Sequence, residues 1–210
     1  MSKDITKLTN AERMRLADNK RTSKGTLERL SEDEDWEVRY YVAVNPNTSV
    51  ETLAKLSGDE HYSVRWCVAL NPNTSAETLE KLSKDKGWEV RQKVAQNPNT
   101  STSVLEKLSQ DEAWDIRCNV AMHPNTSIEA LEKLSRDESA DVRRNVVNNK
   151  SWVSISKRRI SFICGANKHP KYTILTRKYR SKFAKLNIGT NDMINNLCSV
   201  VINSVLFLNK

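Results

Sequence analysis

The pentapeptide Asn-Pro-Asn-Thr-Ser occurs four times, with its proline at Pro46, Pro72, Pro98 and Pro124, so the copies are 26 residues apart each time. A chain with that register folds as an array. Each unit is one supersecondary element that cannot bury its apolar face alone and does so against its neighbours. Other columns keep the same step. Leucines stand at Leu27, Leu53, Leu79, Leu105 and Leu131, and again at Leu30, Leu56, Leu82, Leu108 and Leu134. Val38-Arg39, Val64-Arg65, Val90-Arg91, Ile116-Arg117 and Val142-Arg143 form a third column, and Asp33, Asp59, Asp85, Asp111 and Asp137 a fourth. Residues 13–19 resemble the end of a unit, residues 19–23 read as a degraded turn, and the Asn149 turn has lost its proline. Atypical edges are expected where a repeat faces solvent on one side.

Each unit reads as two short helices. Pro46 cannot continue a helix and biases Asn45 toward extended backbone, so the preceding helix ends there. Thr48 stands three residues before Glu51, the spacing of a capping box; Thr74/Glu77 and Thr126/Glu129 repeat it, and Thr100 faces Ser103 instead. The first helix is about two turns long and presents Leu53 and Leu56 on one face. The acidic stretch after it suits the N-terminus of the second helix. On that second helix Val38, Arg39, Val42 and Ala43 fall on one side, and the alanine column (Ala43, Ala69, Ala95, Ala121) lets neighbouring helices approach closely. The expected fold is all-α: a right-handed α-solenoid of 26-residue two-helix repeats over residues 1–152. A divergent basic segment, helical or partly disordered, follows at 153–210.

Over roughly residues 11–150, Asn-Pro-Asn-Thr-Ser, Leu-x-x-Leu-Ser, Asp-x-x-(aromatic)-x-Val-Arg and Val-Ala resemble the variant leucine-rich repeat family, itself related in architecture to HEAT and armadillo arrays. The resemblance implies a repeat scaffold; solenoid families bind many different things, so it names no ligand. An iron–sulfur cluster on clustered cysteines occurs in that family. Here Cys67, Cys118, Cys164 and Cys198 are dispersed with no C-x-x-C spacing, so no cofactor is expected and the thiols read as reduced and unpaired.

The net charge of +8 is unevenly placed. Residues 1–150 carry 23 Lys+Arg against 25 Asp+Glu, and residues 151–210 carry 11 against the single acid Asp192. The N-terminal MSKDITKLTN has no apolar core of a signal peptide, which predicts a cytoplasmic protein whose Asn-Thr-Ser sequences are turns rather than glycan sites. No membrane span is expected, because the apolar stretch 197–208 is too short and contains Asn203. Nothing suggests an enzyme. His61, His123 and His169 are isolated, and no phosphate-cradling glycine loop or metal-ligand spacing is visible. HEAT-like DNA glycosylases use an Asp and aromatics on a concave face, but here those residues are periodic, and a catalytic residue should break the period.

Within one chain, constant columns encode stacking and varying columns are free to encode a ligand. The outward positions of the second helix read Tyr40, Tyr41, Val44; Trp66, Cys67, Leu70; Gln92, Lys93, Gln96; Cys118, Asn119, Met122; Arg144, Asn145, Asn148. Tyr40, Tyr41, Val44, Trp66, Leu70, Gln92, Lys93 and Gln96 are the candidate surface for a protein partner. The arginine column is expected to pair with the aspartate column, one acid per arginine. The aromatic column (Trp36, Tyr62, Trp88, Trp114) is expected to pack between repeats, and the Lys55/Lys81/Lys107 column to form a solvated outer face. The alternative function is nucleic-acid association through Lys157, Arg158, Arg159, Arg177, Lys178, Arg180 and Lys182, a basic run interleaved with aromatics. A plain cap or tail, and an extension under no selection, are the other readings of that segment.

Overall fold

The computed structural model describes residues 5–154, and within them it is helical with no strand. A 3-10 turn at Ile5–Lys7 leads into α1 (Asn10–Asp18). First and second helices then alternate: α2 (Lys24–Leu30), α3 (Trp36–Val44), α4 (Val50–Leu56), α5 (Tyr62–Leu70), α6 (Ala76–Leu82), α7 (Trp88–Gln96), α8 (Thr102–Leu108), α9 (Trp114–Met122), α10 (Ile128–Leu134) and α11 (Ala140–Asn148). The helices divide into two compact units, with the boundary after Ala130. First helices have 7 residues and second helices 9, too short to persist alone in water, where roughly 12–15 residues are marginal. Stacking therefore supplies their stability.

In the first unit α1, α3, α5, α7 and α9 lie side by side, each packed on the next, while the first helices meet mainly their own sequence neighbours. The second helices are packed more closely on one another than the first helices are. Ala17, Ala43, Ala69, Ala95 and Ala121, all fully buried, permit that approach. Val38, Val42, Val64, Val68, Val90 and Val94 are sealed with them, and the paired leucines of α2, α4, α6 and α8 close the core from the other layer.

The pentapeptide is an inter-repeat ladder. Asn71 Nδ2 donates to the carbonyls of Ala43 (2.8 Å) and Asn45 (3.3 Å) in the preceding repeat. Its Oδ1 meanwhile accepts from the backbone N–H of Asn73 (2.9 Å). Asn45 and Asn97 make the same bonds one repeat earlier and later. The second asparagine repeats the reach: Asn73 Nδ2 donates to Pro46 O (2.7 Å), as Asn99 Nδ2 does to Pro72 O (2.6 Å). These amides take up carbonyls that a helix end leaves without intrahelical partners.

The caps differ from the capping box read in the sequence. Thr48, Thr74, Thr100 and Thr126 turn inward, and each Oγ1 donates to the carbonyl six residues earlier, at Val42, Val68, Val94 and Val120. The residue after each threonine is the N-cap: Ser49, Ser75 and Ser101 accept from the N–H of Thr52, Thr78 and Val104. Thr and Ser thus divide the two ends that meet at the turn. The serine of Leu-x-x-Leu-Ser closes the other end, with Ser57 and Ser83 donating to Ala54 O and Glu80 O. A true capping box is present at α1, between Thr9 and Glu12.

His123 stands where the other repeats have the first asparagine and performs its task. Nδ1 accepts from the N–H of Asn125 (3.1 Å), which leaves the proton on Nε2, 3.0 Å from Asn97 O. Burial lowers its pKa, against the opposing pull of the Asn97 carbonyl. The folded state therefore favours the neutral ring, while an unfolded histidine titrates near 6.5. Stability from this group is complete above that value and is lost as pH falls below it, because the unfolded chain then binds the extra proton. Urea midpoints at pH 7.5 and 5.5 should show wild type losing about 1 kcal/mol more than His123→Asn. Parallel losses in the two proteins would show that the rung tolerates an imidazolium.

In the second unit, α11 buries Val142 and Val146. Arg143 Nη1 donates to the carbonyls of Asp137 (2.6 Å) and Glu138 (2.9 Å). Asp137 Oδ1 accepts from the Ser139 N–H at the helix start (2.8 Å).

Candidate functional site

The arginine column is a ladder of ion pairs. Arg39, Arg65 and Arg91 each place Nε on the aspartate 20 residues ahead, at Asp59 (2.6 Å), Asp85 (2.6 Å) and Asp111 (2.7 Å). Nη2 completes a two-point contact with the same carboxylate. Nη1 of each turns back to the carbonyl six residues earlier in its own repeat. Arg13 extends the ladder to Asp33 (2.7 Å), in the same way as the arginines of the following repeats. The carboxylates feel burial, which opposes ionisation. The arginine bonds and the backbone N–H two residues on outweigh it, so Asp59, Asp85 and Asp111 lie below the usual carboxylate range. Arginines held at this many points are not free to bind phosphates.

The outward side of the second helices is different. Residues four apart share a face, so Trp36, Tyr40 and Val44 line α3, Tyr62, Trp66 and Leu70 line α5, Trp88, Gln92 and Gln96 line α7, and Trp114 and Met122 line α9. Val44, Leu70 and Met122 are 45%, 47% and 54% exposed, and Gln96 is exposed too. Tyr40, Tyr41, Trp66, Gln92 and Lys93 are half-buried. The Tyr40 and Tyr41 rings meet edge-on at 5.4 Å. Lys93 Nζ sits over the Trp66 ring, 5.1 Å from its centre, and donates to Gln96 Oε1 (2.9 Å), whose amide reaches Asn119 Oδ1 (3.0 Å). All eight candidate residues therefore lie on one side of three adjacent helices.

Two readings change. Cys67 and Cys118 are not outward: they are 1% and 8% exposed, because a small side chain at these positions sinks into the seam between second helices. Burial, partly offset by a hydrogen bond from Tyr40, pushes the Cys67 thiol up to about 12, so it is protonated and a poor nucleophile. The aromatic column packs between repeats only in part. Trp36, Tyr62, Trp88 and Trp114 are 37%, 55%, 44% and 47% exposed. Trp36 alone is stacked on an aromatic of the next repeat, His61, with ring centres 3.8 Å apart. Repeats that carry Gly87 and Ala113 at that position offer no ring to stack on. These four aromatics were missed as candidate surface, although their spacing four residues before Tyr40, Trp66, Gln92 and Cys118 contained the signal.

On the turn side, an open cleft of 810 Å³ runs past Pro46, Asn47, Ser49, Pro72, Asn73 and Asn99. Its amides and hydroxyls are already used by the ladder and the caps, so it is a product of the repeat. The lysine column is exposed as expected, in ion pairs such as Lys107–Glu80 (2.8 Å). Pairs that exposed contribute little. Among the described residues no helix is long and apolar enough to cross a membrane. No group of three His, Cys, Asp or Glu there is placed to hold a metal. Lys157, Arg158, Arg159, Arg177, Lys178, Arg180 and Lys182 lie outside the described residues.

The two-layer stacking, the ladders and the partly exposed face of the second helices define an α-solenoid repeat protein. The family model for the leucine rich repeat variant matches residues 88–113 and 114–139. A solved structure titled "a leucine-rich repeat variant with a novel repetitive protein structural motif" is similar at 27% identity and a TM-score of 0.56, over 68% of this chain. The chain spans 56% of that protein's length. No curated protein matches. Residues 88–139 thus match variant leucine-rich repeats, and the array is similar in fold to that structure.

Proposed function

We propose that the array is a non-catalytic scaffold that docks a protein partner on the outward face of its second helices. The observation that carries this is the contrast between columns. Arginine, aspartate and asparagine columns are consumed by inter-repeat bonds. The Tyr40, Trp66 and Leu70 face is left apolar and aromatic, with Leu70 exposed and Tyr40 and Trp66 half-buried, although α5 could have been closed there with polar residues, as α7 is with Gln92 and Gln96. Aromatic anchors with an adjoining polar rim are the composition of a binding hot spot. Nucleic-acid association keeps its basis in the charge of residues 151–210. The described face does not share it, since acids outnumber bases there.

The test is affinity capture with wild type and with a Trp66→Ala, Leu70→Ser variant, followed by titration of each captured protein. Truncating a central anchor should weaken the true partner about 30-fold, in line with a hot spot of about 2 kcal/mol. Circular dichroism should be unchanged, because neither residue belongs to a ladder. An unaltered partner set with unaltered affinities would place the docking surface elsewhere.

A further inference from the structure

The aromatic column and its charged surroundings narrow the chemistry of the occupant. The stretches 33–44, 59–70, 85–96 and 111–122, which hold α3, α5, α7, α9 and the turns before them, contain eleven acidic and six basic side chains. Arg39, Arg65 and Arg91 are bound to aspartates, and Arg117 donates Nη1 to the carbonyls of Asp111 (2.8 Å) and Glu112 (3.1 Å). Glu34, Glu60 and Glu112 are almost fully exposed and only brush the ladder, 3.5–3.9 Å from arginines already engaged. Glu37 is exposed and Glu89 and Asp115 are half-exposed, each next to an exposed ring of the column. The result is a row of four aromatic side chains with carboxylates beside it, interrupted before Trp88, where the exposed Lys86 takes the place of Glu34, Glu60 and Glu112 and Glu89 is the flanking acid. Lys93 over Trp66 shows a cation using this surface within the chain itself.

Resting on the docking reading above, we infer that this face takes an extended basic peptide, with Lys or Arg heads seated over Trp36, Tyr62, Trp88 and Trp114 and neutralised by the flanking carboxylates. An aromatic face attracts a cation through its quadrupole, and nearby carboxylates add to that attraction. A nucleic acid would meet the same carboxylates with its phosphates and be repelled. The spacing sets the register. Packed helices lie roughly 8–10 Å apart, and a polyproline II chain advances about 3.1 Å per residue, so every third side chain meets the next ring. The row fits cations at every third position.

The experiment uses the full chain and a fluorescent twelve-residue peptide, Arg-Pro-Ala repeated four times. Controls replace each Arg by Gln or by Glu, or place the four Arg consecutively. The expected result is binding by the spaced Arg peptide that weakens with salt. Trp88→Ala should weaken it roughly fivefold, and so should Glu37→Lys with Glu60→Lys and Glu112→Lys. These are exposed positions, so folding is retained, and thermal midpoints check it. Gln and Glu peptides should bind less tightly, and the consecutive-Arg peptide less tightly than the spaced one. Equal binding of the Gln and Arg peptides would overturn the inference. So would a consecutive-Arg peptide that binds as well, or an oligonucleotide that competes and depends on Trp88. If the captured partner depends on Trp66 and Leu70 while no basic peptide binds, the docking face stands and its basic specificity is refuted. If neither shows dependence, both fail.

Discussion

Asp85→Ala is expected to destabilise the array by about 3–5 kcal/mol, the cost of leaving a buried charge without its partner. The side chains of Arg65 and Asp85 are 8% and 7% exposed. Arg65 bonds Asp85 through Nε (2.6 Å) and Nη2 (3.1 Å), and the carbonyls of Asp59 (2.8 Å) and Glu60 (3.0 Å) through Nη1. Asp85 also receives the N–H of Gly87 (2.8 Å), so it holds the start of α7 as well as the arginine. Truncation removes the carboxylate's bonds to Nε, to Nη2 and to the Gly87 N–H, and leaves a guanidinium between two repeats held only by the two carbonyls. Replacing both partners, with Arg65→Met and Asp85→Leu, should cost less than the sum of the single changes, because neither charge is then left alone. Urea unfolding of the four proteins gives the cycle. A loss under 1 kcal/mol for Asp85→Ala would rank the rung with exposed surface pairs. The same geometry fixes the acid response. Carboxylates lowered by their arginines contribute fully above about pH 3.9, and that contribution disappears as pH falls through their folded values.

Why the fold was legible while the site was only partly so follows from where each residue's partner lies. Leu53, Leu56, Val38 and Val42 act within a unit, and helical spacing exposes their role directly. The arginine–aspartate pairing was visible because one acid accompanies each arginine in the register, although only the structure shows that the acid belongs to the next repeat. The asparagines were read as turn residues, and half of their work was missed: Asn71 reaches Ala43, 28 residues back, a contact that local spacing cannot reveal. Thr48 misled because its distance to Glu51 satisfies a capping pattern, while the carbonyl of Val42 at the end of α3 lies closer to hand. Cys67 was assigned outward by helical angle, which ignores how a small side chain sinks beside Tyr40. The Trp36 column was assigned inward because it is regular. Regularity marks constancy between repeats, and a surface can be constant too. What the face binds was not legible because the variable columns state freedom from stacking and nothing more.

Deleting residues 71–96 should leave a cooperatively folded protein, whereas deleting residues 71–83 should unfold the array from that point. The first excision removes one whole period. Asn97, which now bonds Ala69 O (2.8 Å) and Asn71 O (3.0 Å), would meet the carbonyls of Ala43 and Asn45 that Asn71 uses today. Arg65 would find Asp111 twenty residues ahead in place of Asp85. Every rung re-forms, and the loss is one unit and one interface, a modest fall in midpoint for a chain whose interactions are between nearest neighbours. The second excision is half as long and far more damaging. It takes out the Asn71 rung, the Ser75 cap and all of α6, with the fully buried Leu79 and the nearly buried Leu82, and it joins α5 to the turn before α7. Arg65 and Asp85 would stand seven residues apart instead of 20, too close to span two stacked repeats. Two buried leucines alone account for about 4–10 kcal/mol, comparable to the whole stability of an ordinary domain at about 5–15 kcal/mol. Circular dichroism melts of the two deletions decide it. Equal midpoints would mean that one helix, and not the pair, is the stacking unit.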